Sequence, residues 1–148
     1  MPDQLLSQKS MLLNVCDRIL ELDNSIRFSG FANNNGKIIA AQYRKGLDPL
    51  LTSEESELSF IDSVLRMRTR DDMKTKLGKV IFSSTVYEKV NRATILLDNE
   101  EYPILMMSFD NNTTIGKGAD HESIIVYGIL SLVSYYAERS EVGRRLSR

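Results

Sequence analysis

Residues Phe28 to Gly46 read FSGFANNNGKIIAAQYRKG, two apolar runs joined by three asparagines and a glycine. Ile26, Phe28, Gly30 and Ala32 alternate with Arg27, Ser29 and Phe31, the two-residue period of a strand. Lys37 to Tyr43 is rich in β-formers. Asn34, Asn35 and Gly36 tolerate the positive φ that tight hairpin turns demand. The stretch predicts a β-hairpin with a polar tip. A turn needs these residue types whether or not anything binds there, so the tip is a turn first and a contact loop second.

Before the hairpin, Leu12, Val15, Cys16, Ile19 and Leu20 recur at helical spacing, with Asp17, Arg18 and Glu21 between them. Asp23 and Asn24 close this first amphipathic helix, because their side chains compete for backbone hydrogen bonds. After the hairpin, Arg44 to Leu51 is a connector, and Thr52 with Glu55 fits a T-x-x-E capping box. The helix it opens, Ser53 to Arg70, carries two apolar stripes. One is Leu58, Ile61 and Leu65; the other is Phe60, Val64 and Met67. One face can pack on a sheet while the other meets something else.

A charged helix end or connector follows, from Arg66, Arg68 and Arg70 through Asp71, Asp72, Lys74 and Lys76. Three strand-like segments come next: Lys79 to Tyr87, Val90 to Leu97, and Tyr102 to Phe109. Pro103 cannot donate a ladder hydrogen bond and is expected at a strand start. A polar loop, Asp110 to Asp120, precedes a last helix from about His121 to Arg139. That helix is apolar nearly all round, and a basic tail, GRRLSR, closes the sequence.

The order is αββαβββα. One five-stranded antiparallel sheet flanked by helices would bury every apolar face, which makes this an α+β fold. Residues 1–148 are expected to form a single domain, its core at about 11–139 and a basic tail at 140–148, with enough chain for a real core. This order, with a glycine turn in the first hairpin, resembles the roadblock/LC7 family over about residues 11–139. It is also similar to small archaeal proteins of unknown function that share the run LGKVIFSSTVYEKVNRATILL.

The resemblance implies a homodimer formed through the second helix and the third strand, here Ser53 to Arg70 and Lys79 to Tyr87. Phe60, Val64, Met67, Phe82 and Val86 are the expected interface residues. The resemblance further implies a regulatory or scaffolding role as a platform for a small GTPase or another protein. Asn34, Asn35, Arg66, Arg68 and Arg70 are the expected partner contacts. PAS- and profilin-like domains share the broad class, so small-molecule sensing in a pocket between sheet and helix is the alternative.

Several chemistries find no support. Cys16 is the one cysteine, which excludes an intramolecular disulfide and a thiolate zinc site, and it falls on the apolar stripe of the first helix as a small buried hydrophobe. His121 is the one histidine; with Asp120 as N-cap and Glu122 beside it, a helix N-terminus accounts for the trio without a metal. Lys117 lies between Gly116 and Gly118, but the spacing and the missing Ser or Thr exclude a P-loop. The stretch from Asp110 fails as a calcium loop because Ile115 stands where the glycine belongs. No catalysis and no cofactor are expected.

The formal net charge of −1 argues against nucleic acid as a partner. Arg66, Arg68, Arg70, Lys74, Lys76 and Lys79, with Arg144, Arg145 and Arg148, are solvated charge or a docking face for a protein. The apolar run Ile124 to Ala137 is shorter than a membrane span, and MPDQLLSQKS lacks the features of a signal peptide. A cytoplasmic location with no membrane partner is the expectation.

Overall fold

The computed structural model describes residues 2–111 and 125–135. The elements run α1 (Pro2–Leu22), β1 (Ile26–Ala32), β2 (Ile38–Tyr43), α2 (Ser53–Asp71), α3 (Lys74–Leu77), β3 (Phe82–Val86), β4 (Val90–Leu96) and β5 (Ile104–Asp110). Residues 125–135 are helical and are called α4. The expected αββαβββα order holds, with one addition: the charged connector contains α3, a single turn ended by Gly78 at φ 85°. The polar loop with Lys117, Asp120 and His121, and the tail with Arg144, Arg145 and Arg148, lie outside the described residues.

The five strands form one antiparallel sheet in the order β2-β1-β5-β4-β3. The β1–β2 and β3–β4 hairpins are closed by short-range hydrogen bonds. Asn33 accepts from the backbone N–H of Asn35 and of Lys37 through its side-chain oxygen, at 2.9 and 3.0 Å. This satisfies the tip without a left-handed asparagine: only Gly36 takes positive φ there, at 81°. The positive φ that Asn34 and Asn35 are expected to tolerate is left to Gly36, and Asn33 closes the tip by hydrogen bonding instead. Between β3 and β4 the chain reverses tightly, with Tyr87 N–H donating to Val90 O at 2.8 Å.

The central strands β1 and β5 are covered on both faces. On one face α1 sets Leu12, Val15, Cys16 and Ile19 against Phe31, Ala40, Leu105, Met107 and Phe109, and α4 adds Ile125, Val126 and Ile129. A register shift between Ile26 and Phe28 turns Ile26 onto this face too. The buried Ser29 hydroxyl donates to Cys16 O at 2.9 Å, which removes the cost of an unpaired polar group. Cys16 is fully buried, and that burial pushes its thiol up to about 12, so it stays protonated and unreactive near neutral pH.

The opposite face is smaller. There α2 lays Phe60, Val64 and Met67 on Phe28, Ala32, Ile104 and Met106. Full burial of one such side chain contributes about 1.5–3 kcal/mol, so this stripe alone fixes the helix on the sheet. It leaves the β3–β4 half of the sheet only partly covered.

Candidate functional site

The functional surface is built around α2. Thr52 starts the helix as the sequence implies. Its Oγ1 accepts from Glu55 N–H at 3.2 Å, and its own N–H donates to Glu55 Oε1 at 2.9 Å, a complete capping box. Those hydrogen bonds from Thr52 hold the Glu55 carboxyl below the usual carboxylate range. One face of the helix then seats on aromatic rings: Phe60 lies 5.5 Å from Phe28, and Phe28 lies 4.8 Å from Tyr43, centroid to centroid.

Of the two apolar stripes on this helix, Phe60, Val64 and Met67 pack inward and are 3, 2 and 1% exposed. Their place as contacts with a partner is corrected accordingly, since a side chain spent on its own core offers no surface to a second molecule. The other stripe is left in solvent: Leu58 is 67%, Ile61 42% and Leu65 57% exposed. Phe82 is half-buried on the far face of the sheet, edge-on to Tyr127 at 6.2 Å. Val86 is exposed near the end of β3.

Among the described residues β3 is an edge strand, paired with β4. Ile81, Val86 and Tyr87 are exposed along or beside it, and an edge of this kind can pair with a further strand. An open strand edge and an apolar helix stripe therefore occur in the two elements expected to pair.

Between α2 and the β3–β4 half of the sheet lies a cleft of about 570 Å³. Ser59 and Ser63 face it from the helix, and Ser83, Thr85 and Arg92 from the strands. The Arg92 guanidinium spans it and donates to Ser59 Oγ. Beside the cleft, Arg27 of its lining belongs to a clamp of charges. Asp110, closing β5, accepts from Arg27 Nη1 at 2.7 Å and from Arg44 Nη1 at 2.9 Å. Arg27 also reaches Asp48 O at 3.3 Å, and Arg44 reaches Asn24 O at 2.7 Å, which ties the 44–51 connector to the sheet. Burial alone would raise the Asp110 carboxyl, but the hydrogen bonds from Arg27 and Arg44 and their charge hold it below the usual range.

The expected partner contacts do not form one patch. Arg66 and Arg70 line the cleft, whereas Arg68, two residues from each, projects from another side of the helix. Asn34 and Asn35 are exposed at the hairpin tip. Sequence reasoning missed Arg92, Arg27, Arg44 and Asp110 as a set. Each is an ordinary charged residue in a strand or turn, and only the sheet register brings them together. Among the described residues there is no group of three or more His, Cys, Asp or Glu side chains able to hold a metal ion, and no helix long and apolar enough to cross a membrane.

No protein-family model and no curated protein matches the sequence. Solved structures do match the fold. A roadblock/LC7 domain from Streptomyces avermitilis superposes with a TM-score of 0.62 at 9% identity, covering 88% of this chain and 98% of that one. MglB from Myxococcus xanthus gives 0.61 at 14% identity, covering 88% and 90%. A structure described as MglB with tetrameric arrangement gives 0.59 at 12% identity, covering 86% and 90%. The likeness spans most of each chain, so the fold is roadblock/LC7-like; at these identities it speaks for the fold alone.

Proposed function

We propose that this chain is a non-enzymatic regulatory or scaffolding module that pairs with a second copy of itself through α2 and the β3 edge. The observation that carries the reading is the outward stripe of α2. Leu58, Ile61 and Leu65 are three large apolar side chains at helical spacing, all exposed, in the element that flanks the open half of the sheet. A two-fold pairing covers both copies of the stripe at once and lets the two β3 edges meet. The likeness to MglB, including a tetrameric arrangement of that protein, supports self-assembly on this fold.

A small GTPase is the partner class that the roadblock resemblance implies, and we assign its contacts to Asn34 and Asn35 at the hairpin tip and to the α2 cations Arg66, Arg68 and Arg70. Sedimentation velocity tests the pairing. Leu58→Asp combined with Leu65→Asp is expected to convert a dimer to a folded monomer, because both side chains already face water. An unchanged sedimentation coefficient in that variant contradicts the interface.

A further inference from the structure

We propose that the cleft between α2 and the β3–β4 half of the sheet binds a phosphorylated small molecule carrying a flat ring. Its volume, about 570 Å³, falls within the range of small-molecule sites, about 300–1,000 Å³. Its lining pairs an apolar floor of Phe28, Phe60 and Met106 with the hydroxyls of Ser59, Ser63 and Thr85. Few precisely placed polar groups over an apolar floor are what small-ligand sites are made of.

The charges select the kind of polar group. Arg27, Arg66, Arg70 and Arg92 line the cleft, with the carboxylates of Glu57 and Asp62 on its α2 wall. Arg27 is committed to Asp110 at 2.7 Å and Arg66 to Asp62 at 3.1 Å, whereas Arg70, near the end of α2, and Arg92, between the two walls, form no ion pair among the described residues. Arg92 rises from the half-buried row of β4, and among the described residues no carboxylate lies within ion-pair distance of it. Its hydrogen-bond partner is the neutral Ser59 hydroxyl on the opposite wall. A guanidinium has five donors, and one hydroxyl leaves most of the fork for an incoming acceptor. Hydroxyls and a planar fork suit a tetrahedral oxyanion, which accepts several hydrogen bonds and accommodates a bidentate arginine.

The ring requirement comes from the rims. Tyr43, at the end of β2, and Tyr87, just past β3, both line the cleft and are about half exposed. Aromatic side chains with open faces stack on planar groups, so a flat body can lie at the mouth while its phosphate reaches Arg92. A nucleoside monophosphate combines the two features.

The test is a calorimetric and NMR titration with adenosine monophosphate, inorganic phosphate and adenosine. It is run on the wild type and on the Leu58→Asp, Leu65→Asp variant, so that binding and pairing are read separately. Adenosine monophosphate is expected to saturate both proteins and to shift the Ser59, Ser63 and Arg92 signals. Inorganic phosphate should bind more weakly and adenosine weakest. Arg92→Ala should raise the Kd about tenfold or more, with Arg92→Lys in between. Ser59→Ala removes one of the lining hydroxyls but keeps the guanidinium, and should weaken binding less than Arg92→Ala does. The proposal is overturned if neither phosphate probe saturates at millimolar concentration, if adenosine binds as well as its monophosphate, or if binding in folded Arg92→Ala or Arg92→Lys is unchanged.

Discussion

Gly36, at the tip of the β1–β2 hairpin, stands against the backbone of α2 at Ile61. A Cβ at position 36 would lie 2.8 Å from Ile61 Cα and 2.9 Å from Ile61 Cγ1. Glycine is required there twice over, once by its φ of 81° and once by the helix it touches. The polar tip that marks the hairpin in the sequence is therefore a strut under α2, and the orientation of the exposed stripe depends on it.

Gly36→Ala is expected to destabilise the fold by about 1–3 kcal/mol, since it adds backbone strain and a clash with main-chain atoms that have no room to withdraw. Gly46 is the control. It has a similar φ of 74°, but an added Cβ meets nothing within 4 Å. Gly46→Ala should show only the conformational part, about 1 kcal/mol, and urea unfolding of the two variants side by side separates the effects.

Asp110 supplies a pH dependence. Its carboxyl titrates below the usual value of 3.8 in the folded protein, because the hydrogen bonds from Arg27 and Arg44 outweigh burial. A depressed folded-state value means that the contribution is complete above the unfolded value and is lost as pH falls through the folded one. Asp110→Asn should lower stability by about 1–3 kcal/mol at pH 7 and flatten the acid limb of the stability curve below about pH 4. Thermal melts from pH 2 to pH 7 show whether the gap between wild type and variant closes as predicted.

How far these features are visible in the sequence differs from one to the next. The capping box at Thr52 and Glu55 is legible because all its atoms lie within four residues. The hairpin and the edges of α2 are legible for the same local reason. Which stripe of α2 turns inward is not: Phe60, Val64, Met67 and Leu58, Ile61, Leu65 have the same period and similar hydropathy. Phe28 decides the matter by offering a ring under position 60, and that is a tertiary fact. Arg27 and Asp110 are 83 positions apart, and their ion pair follows from β1 lying beside β5. Arg92 and Ser59 meet only because α2 crosses the sheet near β4. Local chemistry is written in the chain, whereas the site is written in the register.

Removing the helix cap tests how firmly α2 is anchored. Thr52→Ala leaves the Glu55 N–H without its acceptor and should cost about 1 kcal/mol. Amide exchange in the first turn of α2 should accelerate, while β1 and β5 keep their protection.

Charge along α2 is biased, with Glu54, Glu55 and Glu57 near its start and Arg66, Arg68 and Arg70 near its end, where Asp62 pairs with Arg66 and Asp71 closes the helix. An antiparallel two-fold crossing lays each half on the opposite half of the partner copy. A variant with Arg66, Arg68 and Arg70 all changed to Glu should pair with itself about tenfold more weakly at low salt. Mixed with a second variant carrying Glu54→Lys and Glu57→Lys, it should form heterodimers in preference to either homodimer. Statistical mixing of the two would argue for a parallel or offset crossing.

Native mass spectrometry of the unmodified chain at micromolar concentration reads self-pairing without any substitution. A dominant species at twice the 16.8 kDa chain mass is expected, and its loss in the Leu58→Asp, Leu65→Asp variant. A wild-type spectrum holding only the 16.8 kDa monomer across that concentration range would contradict it.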